Sequence, residues 1–425
     1  MKLLATLFLL SILLASQISY AQTDSQKGSF FDAEYFFDSE DYAEALVNYL
    51  KVYNSGYQDN AFLNYKIGIC YLNSTNDKAK AIPYLEKATE KVSDSFLKSS
   101  LSETNAPIES YVFLGDAYRI GGELNKAILA YWKYKSMSEG TADEMAHYVD
   151  LQIEVCKTAK DMIENPISIS YTYISDQIPE SKNAISIVVS ADEKYMAFVV
   201  KMKFQDAMYY SAKTDTTWGK AINITSQIKS DGNQIPLAFS PKGDSLLFSF
   251  SDPYDVDIYV STLKENVFSP SKPLNKNICS KFIESRASLS ANGGIIYFSS
   301  DRKDSEGLKD IYYAIKDNKG DWGPAFNIGK SINSIESEDF PYICDNDQKL
   351  YFQSRGFKNM GGYDLFYVTR QNNRWSLPVN VGYPINTTDD DTNVIPVNNN
   401  VFYAVYTKEG VWGKPGIYRI TINNK

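Results

Sequence analysis

The chain has 425 residues, 44% of them hydrophobic, enough to bury two or three domain cores. Its 52 Asp and Glu outnumber 43 Lys and Arg, and the formal charge of −9 argues against nucleic acid and anionic membrane surfaces as partners. The single histidine, His147, excludes His-rich zinc sites and leaves Ser-His-Asp or Cys-His catalysis one imidazole to rest on, within a stretch patterned as a helix, EMAHYVDLQIEV.

Residues 1–21 place Lys2 before an apolar run and end on Ser19-Tyr20-Ala21, the layout of a secretory signal peptide cleaved after Ala21. The run is short for a membrane span and no other stretch reaches eighteen apolar residues, so export without transmembrane insertion is expected. No cysteine follows the cleavage point to carry a lipid anchor. Cys70, Cys156, Cys279 and Cys344 lack metal-ligand or CxxC spacing and are expected as buried thiols, although an oxidising compartment would permit a Cys279–Cys344 bridge.

Over residues 28–164 glycine and proline are sparse and apolar residues recur at three and four, which predicts helices. DYAEALVNYLKVYNSGY, KAKAIPYLEKATEKV and ELNKAILAYWKYKSM share one layout, each preceded by another helix. Ala45, Ala81 and Ala127, spaced by 36 and 46, and Gly68 and Gly115 on the partner helices allow close approach. Such hairpins predict a short solenoid, serving as a peptide-binding groove or as a support.

Asn165-Pro166 ends the helices, and from residue 165 to 425 the apolar period becomes two. One strand signal recurs as MAFVV, LLFSF, IYFSS, LYFQS and VFYAV, its third residues Phe198, Phe248, Phe298, Phe352 and Tyr403 lying 50, 50, 54 and 51 apart. A second recurs as AMYYS, DIYVS, DIYYA, DLFYV and GIYRI at spacings of 50, 53, 54 and 52. Two signals with one period through five copies predict a five-bladed β-propeller. Only four outer strands follow the second signal, so the segment 167–174, ISISYTYI, is expected to close the ring in the last blade.

The stretches SPKGDSLLFSF, SANGGIIYFSSDRK and LYFQSRGFKNMGGYDLFYVTRQNNRWSLPVNVG resemble the WD40-like, TolB-type propeller repeats of Bacteroidota. NYKIGICYL, AIPYLEKA and YVFLGDAYRIGGELNKAILAY resemble tetratricopeptide repeats. In this order they look like the front of OmpA-family proteins linked to type IX secretion and gliding. Those relatives usually continue into a peptidoglycan-binding domain, whereas this chain stops at Lys425. The resemblance implies an α-helical domain followed by an all-β propeller, and a non-enzymatic periplasmic scaffold without cofactor. Its expected partners are envelope proteins, a PorP/SprF-like outer-membrane barrel among them, through which it would associate with the outer membrane.

Asp257, Asp310 and Asp364 open the second strand signal in three copies, after a Gly-containing or polar loop, as acceptors for backbone donors would. Asp231, Glu284, Glu338 and Asp390, with neighbouring Asp339, Asp389 and Asp391, precede the inner strands and are expected near one mouth of the channel. Converging carboxylates there would suit a glycosidase, but these acids follow the repeat, and a catalytic pair needs two unlike environments. Glycan recognition without catalysis is a further alternative. A divalent cation at the mouth stays open, although DDDTN and DNDQ lack a full calcium-loop spacing. Trp218, Trp322 and Trp375 are expected between blades.

Overall fold

The computed structural model describes residues 25–74, 78–95, 97, 100–138, 144–251, 255–372, 374–406 and 413–423; the leader expected over 1–21 lies outside the described residues. Two compact units follow one another, divided between Lys157 and Thr158. Among the described residues no helix is long and apolar enough to cross a membrane.

The first unit is helical: α1 (25–38), α2 (Tyr42–Asn54), α3 (Ala61–Leu72), α4 (Ala81–Ala88), α5 (Ser110–Ile120), α6 (Leu124–Met137) and the start of α7 (Glu144–Glu164). Side-chain caps set two of the starts: Asp41 accepts from the Glu44 N–H at 3.2 Å and Asn60 from the Leu63 N–H at 2.8 Å. Ala45, Ala81 and Ala127 are fully buried. A Cβ on Gly68 would lie 2.5 Å from Leu85 of α4, and one on Gly115 would lie 2.4 Å from the Tyr131 ring of α6, so both glycines are contact points between paired helices.

A polar pairing repeats inside this packing. Tyr49 of α2 donates its hydroxyl to Glu34 of α1, and Tyr131 of α6 donates to Asp116 of α5 at 2.7 Å, each acid fifteen residues before its tyrosine. Lys66 completes the first pair with an ion pair to Glu34 at 3.2 Å and lies 3.8 Å over the Phe37 ring. Tyr148 of α7 adds a bond to Asp116 at 3.0 Å, and burial raises that carboxyl above its usual range against the opposing Arg119.

The second unit is a ring of five antiparallel sheets. The inner, second and third strands are Ala184–Val189, Tyr195–Val200 and Ala207–Thr214 in blade 1, and Ile235–Phe239, Ser245–Ser251 and Val256–Lys264 in blade 2. Blade 3 has Glu284–Leu289, Ile295–Ser300 and Asp310–Lys316, with Trp322–Asn327 outside. Blade 4 has Glu338–Cys344, Lys349–Ser354 and Asp364–Gln371. Blade 5 has Val394–Pro396, Val401–Tyr406 and Gly416–Ile422, and its outer strand is Ile169–Tyr173, paired antiparallel with Gly416–Ile422. In blades 1, 2 and 4 two short outer segments replace one long outer strand.

Phe198, Phe248, Phe298, Phe352 and Tyr403 are all fully buried, in the hydrophobic clusters that join each blade to the next and blade 5 to blade 1. Trp218, Trp322 and Trp375 each pack into one of these clusters. At the seam between blades 1 and 5, Arg419 pairs with Glu193 at 2.8 and 2.9 Å. Burial alone would raise the Glu193 carboxyl, but Arg419 and Lys213 hold it below its usual range. All four cysteines are free thiols.

The two helical glycine environments give opposite expectations. In G115A the new methyl meets a buried ring, and overpacking of this kind costs about 1–3 kcal/mol. In G28A nothing lies within 4 Å, and the gain in helix propensity is about 0.5–1 kcal/mol. Urea unfolding followed through the helical signal should show the first variant losing stability and the second gaining it; equal effects would contradict the contact.

Candidate functional site in the axial channel

An equivalent position lies at or just before the start of each inner strand, occupied in turn by Ala184, Gln234, Glu284, Glu338 and Asp391. The acids there close loops. Glu284 accepts from the Ser280 N–H at 2.9 Å, the Ser280 hydroxyl at 2.7 Å and the Ser300 hydroxyl at 3.0 Å, with Arg302 at 3.3 Å. Glu338 accepts from the Ser334 N–H at 2.6 Å and from the Ser334 and Ser354 hydroxyls at 2.7 and 2.6 Å. Asp391 repeats the pattern with the Thr387 N–H at 2.6 Å and hydroxyl at 2.9 Å. A Ser or Thr four residues before the strand-entry residue is thus fastened to it, as Ser230 is to Gln234 in blade 2.

Asp310 and Asp364 head the third strands and organise a second clasp. Asp310 accepts from the Glu306 N–H at 2.7 Å and from Asn327 at 2.7 Å; Asn327 accepts from Asn333 at 2.8 Å, and Asn333 accepts from the Ile311 N–H at 2.9 Å. Asp364, Asn380, Asn386 and Leu365 repeat this relay with distances of 2.7 to 2.8 Å. In blade 2 Cys279 stands where Asn333 and Asn386 stand, hydrogen-bonded to half-buried Asp257 and donating to the Ile258 carbonyl at 3.2 Å; burial pushes its thiol up to about 12. The sequence carried a signal for this relay in NIGKSIN and NVGYPIN, whose isoleucines Ile332 and Ile385 are fully buried, as are Ile228 and Ile278 at the matching positions.

Asp231 is exposed and accepts from the Asn233 N–H and Gln234 side chain at 3.0 and 2.9 Å. Asp390 accepts from the Tyr363 N–H at 2.9 Å and pairs with Arg355 at 3.0 Å. None of Asp231, Glu284, Glu338 and Asp390 is among the residues that line the cavity on the ring axis. Among the described residues no group of three or more His, Cys, Asp or Glu side chains is placed to hold a metal ion.

The axial cavity has a volume of about 530 Å³ and is lined from the inner strands of all five blades. Most of the wall is apolar, including Ile185, Ile187, Ile235, Leu237, Ile395 and Val405. Two residues beyond each strand-entry position the chain contributes Ser186, Pro236, Arg286, Phe340 and Asn393 to the lining. Arg286 lies just past the bulge of its strand, its guanidinium carbon 4.0 Å from the centre of the Phe340 ring. Phe340 holds a φ of 53° inside the bulge of blade 4, a left-handed conformation that costs a bulky residue about 1–3 kcal/mol. Burial lowers the Arg286 guanidinium below its ordinary value, Asp339 opposing the shift. Asp206 is the other charged residue of the lining.

Glu284 and Glu338 make a pH test of the clasps. Burial raises both carboxyls above their usual range despite their donors. The folded chain therefore keeps these protons to higher pH than the unfolded chain; their contribution is complete below the unfolded value of about 4 and is lost as pH rises through the raised folded one. In urea unfolding between about pH 4.5 and 7.5, E338Q, which cannot titrate, should gain on the wild type as pH rises. A difference that is flat or runs the other way would contradict burial as the dominant cause.

No family model matches the chain, and no curated protein does. Among solved structures, TolB from Acinetobacter baumannii is 18% identical over 57% of this chain and 54% of its own, with a TM-score of 0.37. A TolB-type protein of Agrobacterium tumefaciens is 16% identical over 57% of this chain and 76% of its own, with a TM-score of 0.35. The PQQ-bound aldose sugar dehydrogenase of Streptomyces coelicolor is 7% identical over 61% of this chain and 99% of its own, with a TM-score of 0.32. The five-bladed ring itself is established by the strand pairing.

Proposed function

We propose that the chain is a non-enzymatic, exported scaffold of the cell envelope. Its helical hairpins, of tetratricopeptide type, and its propeller hold different envelope proteins, an outer-membrane barrel of the PorP/SprF kind among them. The observation that carries this reading is the use of the strand-entry acids: Glu284, Glu338 and Asp391 are each saturated by their own loop, so the repeated carboxylates shape the ring's faces rather than pairing across it for acid–base work. The helical unit adds large apolar side chains in contact with solvent. Leu129 and Trp132 on α6 are 68% and 52% exposed, and Tyr148 and Leu151 on α7 stand out as well. Exposed aromatic and aliphatic groups on a helical surface are the anchors such surfaces use to bind proteins.

The test is a photo-crosslinker placed at position 132 of the full chain in its native envelope. It should capture a discrete envelope protein, and L129S should lower that yield by about threefold or more, the scale of a lost anchor. Absence of any captured envelope protein, together with glycan hydrolysis by the purified chain, would overturn the scaffold reading.

A further inference from the structure

Arg286 is the cation of the cavity lining. Among the described residues its guanidinium makes no hydrogen bond or ion pair; the contact it has is the face of Phe340. The carboxylate acting on it electrostatically, Asp339, is already held by Lys309 at 2.9 Å, by the Phe340 N–H at 2.8 Å and by the Ser285 hydroxyl at 3.4 Å. Two cations thus share one carboxylate, and a positive charge with five N–H donors is left facing the cavity. Holding such a half-buried group without a paired anion is unfavourable, and nothing in ring packing requires it, since the equivalent positions are Ser186, Pro236, Phe340 and Asn393. The strained φ of Phe340 sets the ring that holds the guanidinium in place, which makes the pair a preorganised feature.

We propose that the axial cavity is a binding site for an organic monocarboxylate, with Arg286 taking the carboxylate in a bidentate pair and the channel wall taking an apolar body. The cavity's 530 Å³ is the size that encloses a small organic ligand. Its isoleucine, leucine, valine and proline walls favour an apolar body over a sugar or a free phosphate. Asp206 in the same lining repels a second negative charge, which selects a monoanion over a di- or tricarboxylate. The Ser186 hydroxyl, on blade 1, is a further donor on the wall. This site is independent of the scaffold reading, because it concerns the ring's interior and not its faces.

The experiment is calorimetric titration of the full chain with 4-phenylbutyrate, alongside its uncharged amide, citrate and inorganic phosphate. The expected result is saturable 1:1 binding of 4-phenylbutyrate, weakened at least about tenfold in the amide and in R286M, as loss of a charge-assisted pair requires. Methionine comes close to the volume and removes the unpaired charge, so R286M should fold; R286Q is the second variant, and the acid–amide comparison on the wild type needs no variant at all. K272M, on an outer strand away from the cavity, should bind as the wild type does. Equal binding of acid and amide, unchanged binding in R286M and R286Q, tighter binding of citrate or phosphate, or no binding of 4-phenylbutyrate would each overturn the proposal.

Discussion

The antiparallel pairing of Ile169–Tyr173 with Gly416–Ile422 is the contact on which the ring depends. It covers the outer edge of Gly416–Ile422 with a strand from the other end of the ring, and beside it Ser170 donates its hydroxyl to Asn423, 253 residues away in the chain. The same segment also supplies the clasp of blade 5. In blades 3 and 4 the residue after the strand-three aspartate donates its N–H to an asparagine, Asn333 or Asn386. In blade 5 the corresponding Ile417 N–H donates to Ser175 at 2.8 Å, and Ser175 is in turn held by the Ser181 hydroxyl at 2.6 Å. That substitution explains why the aspartate position becomes glycine in the fifth copy. A Cβ on Gly416, whose φ is 136°, would lie 2.6 Å from the Ser175 hydroxyl oxygen and 2.7 Å from that of Tyr173. Closure therefore dictates both the missing outer strand and the departure from the repeat.

The ring was legible in the sequence because its core positions are filled by one residue type at one period. Phe198, Phe248, Phe298, Phe352 and Tyr403 occupy equivalent places between blades, and a buried aromatic there has little freedom to change. The helical hairpins were legible for the same reason at Ala45, Ala81 and Ala127, where only a small side chain fits. The clasps were half legible. Asp310 and Asp364 stood out, but the asparagines that relay them lie sixteen or more residues downstream, in the NIGKSIN and NVGYPIN motifs, which repeat in only two of the five copies.

The channel was the least legible part, and the reason is physical. Repetition marks the residues that build the ring, since each blade solves the same packing problem. Ligand contacts at the centre have no such obligation: five copies of one position meet around one axis, and five different side chains make a shaped and asymmetric lining. Ser186, Pro236, Arg286, Phe340 and Asn393 are that position, two residues beyond the strand-entry position in every copy. The carboxylates that attracted notice sit on the repeating side of this division, fixed to their loops, and the guanidinium sits on the varying side.

Charge sharpens the distinction. The chain carries an excess of acids, yet the buried carboxylates of the ring answer to neighbouring hydroxyls, N–H groups or cations: Glu338 to Ser334 and Ser354, Glu284 to Ser280 and Arg302, Glu193 to Arg419 and Lys213. A buried charge that is saturated in this way fixes geometry, because moving it would leave its donors unsatisfied in a low-dielectric interior. Arg286 inverts the pattern, since among the described residues Phe340 orients it and no group satisfies its N–H donors. Saturated acids make the wall rigid, and a rigid wall is what allows one unsaturated cation to be held at the axis; the clasps and the channel are two parts of one arrangement.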